Sequence, residues 1–107
     1  VFIDKGVVIM PGVVIGPGSN VNKGAIINTN ATVDHDVNIG SYSHISPGVN
    51  LAGDVNIGER TRVGIGTTVI NGVTIDSDIY IGAGRLVLKD INNPGMYYGS
   101  PAEERKI

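Results

Sequence analysis

The chain has 107 residues and a formal net charge of −2, with 16 Gly, one Phe and neither Cys nor Trp. That length holds one domain with a real core. The missing Cys removes disulfides, thiolate nucleophiles and thiolate metal sites, the slight acidity argues against a nucleic-acid partner, and the short apolar runs predict neither a membrane span nor a secretory leader.

In chain order, a branched aliphatic recurs every sixth residue, from Ile3 through Ile9, Ile15, Val21 and Ile27 to Ile81 and Val87, without a slip. Two positions before each stands a small or β-branched residue, from Val1 and Val7 to Ile79, and Arg85 is the break in that row. Three positions after each comes Gly6, Gly12, Gly18 and so on to Asp90; thirteen of these fifteen are Gly, Asn or Asp, residues that tolerate a positive φ. Each hexad therefore predicts a very short strand with alternate side chains inward, then a tight left-handed corner. Neither a helix nor a hairpin produces a strict six, whereas stacked coils of parallel strands do. The predicted class is an all-β solenoid over residues 1–90. Residues 88 to 107, "LKDINNPGMYYGSPAEERKI", leave the pattern, so 91–107 read as a C-terminal loop and tail, with room for a short terminal helix. The chain opens on Val1 in mid-pattern, like an excised segment.

The pattern [LIV]-[G/A/D]-x-x-[S/T/A/V]-x resembles the hexapeptide repeat of the left-handed parallel β-helix acyltransferases. That resemblance implies three hexads per triangular coil, hence about five coils here, and it implies the handedness, which the period alone does not fix.

With eighteen residues per coil, His35 falls on a corner and His44 on a flat side about 180° away. The two histidines of the chain then cannot meet within it, and a site using both lies between protomers. Outward Phe2, Val8, Val14 and Ile26 leave an apolar exterior that wants a partner, and cyclic symmetry would pair the two faces. Stacking puts Pro17 below His35, with Gly53, Asn71 and Lys89 above it. His44 is followed by Arg62 and Tyr80, with Ile65 and Ala83 one corner over.

An imidazole at His35 suits a general base that deprotonates an attacking amine or hydroxyl. Asp34 or Asp36 would hold its tautomer, and the Gly53 N–H is the candidate oxyanion donor. The stretch "NTNATVDHDVNIGSYSHISPGVNLAGDVNIG", with "IGAGRLVLKDI" and "YGSPA", resembles the sialic-acid and bacillosamine-type sugar acetyltransferases. The resemblance implies that His35 of "DHD" accepts the proton and that Asp36 raises its basicity. It also implies that His44 and backbone groups at Ile65 and Ala83 contact acetyl-CoA, that Asn28 lines the acceptor pocket, and that the protein is a cytoplasmic homotrimer. The expected activity is N-acetylation of an amino-deoxy nucleotide-sugar by direct transfer from acetyl-CoA, with O-acetylation of sialic acid or a related hydroxyl as the alternative. Arg85, Ser100 and Glu103 depart from the subfamily pattern, and its N-terminal nucleotide-sugar-binding domain is not visible in this chain. No metal site is expected: a γ-class carbonic anhydrase needs three His, and this chain has two. An ice-binding Thr row fails at Asn50, between Thr32 and Thr68, and a bare scaffold gives no reason for His, Gly and Asp to converge.

Overall fold

The computed structural model describes residues 1–98. Fifteen of its strands are the hexads, and consecutive strands go to different sheets. Sheet A stacks β1 (Phe2–Ile3), β4 (Asn20–Val21), β7 (Asn38–Ile39), β10 (Asn56–Ile57) and β13 (Thr74–Ile75). Sheet B stacks β2 (Val8–Ile9), β5 (Ile26–Ile27), β8 (His44–Ile45), β11 (Arg62–Val63), β14 (Ile79–Ile81) and β16 (Gly95–Tyr97). Sheet C stacks β3 (Val14–Ile15), β6 (Thr32–Val33), β9 (Asn50–Leu51), β12 (Thr68–Val69) and β15 (Leu86–Val87). All pairings are parallel, and among the hexads partners lie 18 residues apart, as in Phe2↔Asn20 and Asn50↔Thr68. The molecule is a three-sided prism of about five coils.

The second residue of each strand points inward because strand side chains alternate. Val21, Ile27, Val33, Ile39, Ile45, Leu51, Ile57 and Val63 are each 2% exposed or less, forming one aliphatic column. Truncating Ile57 to Ala there should cost about 2–5 kcal/mol. The first coil departs from this rule: inward Ile3 and Ile9 are 41% and 43% exposed. Each coil is covered by its neighbours, and among the described residues the first coil has a neighbour on one side only. Where the inner row carries a hydroxyl, the hydroxyl stitches coils together. Ser43 Oγ donates to Gly58 O at 2.6 Å and accepts from Thr61 N at 2.9 Å. Ser19, Thr61 and Thr67 repeat that pattern, so these buried hydroxyls are satisfied.

Fourteen corners have positive φ, six residues apart from Gly6 to Gly84. They include Tyr42 (φ 61°) and Arg60 (φ 51°), where the sequence offers no Gly, Asn or Asp. Arg60 is held there by a forked pair with Asp78 one coil up, Nε to Oδ1 at 2.8 Å and Nη2 to Oδ2 at 3.1 Å. The fifteenth predicted corner, Asp90, is not left-handed, because the register slips there by two residues. Ile91 bridges Ile75, and Tyr80 pairs Met96, both at a spacing of 16. The period then resumes, with Ile91 and Tyr97 packed six residues apart against the core. So part of the expected C-terminal loop is a strand, β16, seated on β14. The expected terminal helix, Ser100 and Glu103 lie outside the described residues. Arg85 is exposed on the last full coil, where Ile81, Leu86, Leu88 and Tyr97 border an open recess of about 290 Å³.

Candidate active site on two faces of the solenoid

His35 occupies the corner that joins β6 of sheet C to β7 of sheet A. Asp34 Oδ1 accepts the His35 backbone N–H at 2.8 Å, an Asx turn that fixes the corner. Asp36 is left-handed, φ 55°, and its Oδ2 lies 3.1 Å from His35 Nδ1. A carboxylate only accepts, so in the neutral ring Nδ1 carries the proton and Nε2 keeps its lone pair. The Asp36 hydrogen bond, backed by the charges of Asp34 and Asp54, raises the His35 pKa above its ordinary value. Gly53 sits one coil above, and a Cβ there would fall on Nε2, Cε1 and Cδ2 of the imidazole. Hydrogen on Gly53 is what leaves that edge of the ring open. Ala52 before it has no side-chain oxygen to play the part of Asp34, and no acceptor among the described residues takes the Gly53 N–H.

His44 is the outward residue of β8, on sheet B. In a three-sided prism this sheet lies opposite the corner between sheets C and A, so the structure keeps the two imidazoles on opposite faces, as the 18-residue coil predicts. Asn28, at the end of β5, has its Oδ1 accepting from Thr29 N at 2.8 Å. Its amide nitrogen must then face His44, and Nδ2 donates to His44 Nε2 at 3.2 Å. His44 therefore carries its proton on Nδ1. Partial burial and the nearby Arg62 charge lower its pKa. Arg62 is the next residue up the column, and its guanidinium lies 5.6 Å from the Tyr80 ring centroid, a cation–π separation. One corner over, Ile65 O accepts the Gly84 N–H at 2.7 Å, while the Ile65 and Ala83 amides take no acceptor among the described residues.

The predicted residues thus fall into two groups. His35, Asp36 and Gly53 share the corner between sheets C and A, with Lys89 exposed three coils up the same column. Asn28, His44, Ile65 and Ala83 share sheet B and its corner toward sheet C, and Asn28 packs against His44 rather than His35. Beside the His35 corner, an open groove of about 430 Å³ runs up sheet C between Val14, Thr32, Asp34, Asn50, Ala52 and Ile70. Sequence reasoning passed over Asp54. One of its carboxylate oxygens lies within 4.8 Å of a ring nitrogen of His35 and of a carboxylate oxygen of Asp36. The signal was present, since Asp54 stands 18 residues after Asp36 and so one coil above it.

No protein-family model matches the chain, nor does any curated protein. Solved structures do. The acetyltransferase domain of PglB from Neisseria gonorrhoeae FA1090, in complex with acetyl coenzyme A, is 39% identical over 95% of this chain, with a TM-score of 0.90. A mutant of GDP-perosamine N-acetyl transferase from Caulobacter crescentus, in complex with CoA and GDP-perosamine, is 37% identical over 99% of this chain, with a TM-score of 0.82. WeeI from Acinetobacter baumannii AYE, 24% identical over 95% of this chain with a TM-score of 0.67, shows the shared fold. The chain spans about half the length of these structures, 50%, 53% and 53% respectively. It is a hexapeptide-repeat β-solenoid, and its structural neighbours are hexapeptide-repeat acetyltransferases. Among the described residues, no helix is long and apolar enough to cross a membrane.

Proposed function

We propose that this chain is the catalytic domain of an acetyl-CoA-dependent N-acetyltransferase acting on the amino group of a nucleotide-linked amino sugar. The observation that carries this reading is the His35–Asp36 pair, 3.1 Å apart, with the Nε2 edge open beside Gly53. It is supported by the neighbours with acetyl coenzyme A, or with CoA and GDP-perosamine, in their complexes.

The chemistry follows from the atoms. The acceptor nitrogen attacks the thioester carbonyl while Nε2 of His35 takes its proton, and Asp36 stabilises the imidazolium that forms. The tetrahedral oxyanion meets the Gly53 N–H. Collapse forms the amide, breaks the C–S bond and expels the CoA thiolate, which takes the proton back from the imidazolium. His44, kept neutral, offers its Nδ1–H to acetyl-CoA, with the Ile65 and Ala83 amides as further donors along the pantetheine arm. Asn28 lines the acceptor end and fixes the His44 tautomer. Because the two groups occupy opposite faces, the working unit is a cyclic oligomer in which the His35 face of one protomer meets the His44 face of the next, and the resemblance to the hexapeptide-repeat acyltransferases makes it a trimer. Its compartment is the cytoplasm, where acetyl-CoA and nucleotide-sugars occur together.

The test is to incubate the protein with acetyl-CoA and a panel of nucleotide-linked amino sugars and their hydroxyl counterparts, following acetylated product by mass spectrometry. Amine acetylation is expected, and His35→Ala should lower turnover about 10²–10⁴-fold with the fold intact. Full turnover in His35→Ala contradicts the mechanism, and product on hydroxyls alone contradicts the N-acetyl assignment.

A further inference from the structure

His35 has a second carboxylate within reach, and that carboxylate comes from a different coil. We propose that Asp54 is a positioning residue for this base, a counter-charge placed one coil above Asp36 that holds the imidazolium as it forms. This rests on reading His35 as the base. A ring nitrogen of His35 and one carboxylate oxygen each of Asp36 and Asp54 all lie within 4.8 Å of one another. Gly53, beside the ring, adds no side chain between them. The neighbouring corner residues confine the charges facing the ring to a short set. Asp34 and Asp36 come from its own corner and Asp54 from the corner above. The corner below presents Pro17 and Gly18, and Asn71 two coils up is uncharged.

The three carboxylates are not equivalent. Asp34 is tied to the His35 backbone N–H. Asp36 makes the direct hydrogen bond to Nδ1. No hydrogen bond engages the Asp54 carboxylate among the described residues, and its charge raises the His35 pKa through space. Asp36 therefore fixes tautomer and ring position, whereas Asp54 acts by field alone. Two carboxylates this close repel each other, and a positive charge on the adjacent ring relieves that repulsion. This helps the catalytic step, because proton transfer turns a neutral ring into a cation.

The position makes the test clean. Asp54 has φ 60°, which Asn adopts nearly as readily as Asp. Asp54→Asn thus removes the charge and keeps the corner. Two readouts are needed on wild type, Asp36→Asn and Asp54→Asn: the His35 titration by NMR on histidine-labelled protein, and the pH profiles of kcat and kcat/KM. Asp54→Asn should move the titration downward, by less than Asp36→Asn does. On the high-pH plateau it should lower kcat about threefold, the Coulomb factor of a unit pair at that separation in water with partial screening. Near 1 M salt, where the Debye length is about 3 Å, the Asp54→Asn difference should vanish while that of Asp36→Asn persists. An unmoved His35 titration in Asp54→Asn overturns the proposal. So does a kcat loss that salt leaves unchanged. Failure of the underlying base assignment reads differently: His35→Ala would keep its turnover while the NMR shift still appeared.

Discussion

The two histidines of this chain differ in almost every physical respect, though nine positions separate them. His35 stands exposed on a corner among three aspartates and has its pKa raised by the Asp36 hydrogen bond. His44 is half-buried on a flat sheet beneath Arg62, and burial together with that charge lowers its pKa. One ring is tuned to receive a proton, and the other is kept neutral with its proton on Nδ1. The solenoid produces this contrast cheaply: a column sums the charges of residues 18 apart, so a corner and a face of the same prism carry opposite fields. The same contrast appears in stability. For His44 the unfolded chain binds a proton more readily than the folded one, so stability should fall as pH drops below about 6.5, the ordinary His value. For His35 the folded state binds it more readily, so its contribution is present below that pH and is lost as pH rises through the raised folded value.

Several substitutions would sharpen or break the contrast. After His35→Ala, the largest effect belongs to Gly53→Ala. Gly53 does not have a positive φ, so Ala fits its backbone; what it strikes is the exposed His35 ring, which must swing away. Turnover should drop about 10²-fold, as for a catalytic group displaced by an ångström, with an unchanged thermal melt. An unfolded Gly53→Ala would show that the glycine is structural instead. Asp36→Asn should follow with about a ten- to hundredfold loss, the value of one charge-assisted hydrogen bond. His44→Ala should raise KM for acetyl-CoA about fivefold and alter kcat less, consistent with one neutral hydrogen bond; a loss confined to kcat would assign His44 to the chemical step. Smallest is Arg62→Ala. The His44 titration should move up when that cation leaves, by NMR, with kcat within about twofold because the pair is partly solvated. A downward shift would contradict the assigned cause.

Most of the fold was legible because its period is rigid. The inward row from Val21 to Val87 is buried as the sixfold spacing requires, and even Tyr42 and Arg60 accept the left-handed corner that their neighbours impose. The two-residue slip at Asp90 was not legible. Its cue is Ile91 and Tyr97 resuming the period in a new phase, which looks like loss of pattern until the strand pairing is known. At the site, residue positions followed from the spacing, and so did the room that Gly53 leaves. Side-chain torsions did not. Asn28 turning its amide to His44, and Asp54 reaching toward the ring of His35, depend on rotamers and local hydrogen bonds that an 18-residue rule does not set.

The proposed shared pocket can be tested directly by mixing. His35→Ala and His44→Ala protomers are each defective on a different face. Unfolding and refolding an equimolar mixture should assemble mixed trimers in which about a quarter of the clefts pair an intact His35 with an intact His44. The expected result is a kinetic component with the wild-type KM for acetyl-CoA, absent from either variant alone, at about a quarter of wild-type turnover. Mixed trimers confirmed by mass in which every active site shows the raised KM would show that the two imidazoles do not serve one cleft.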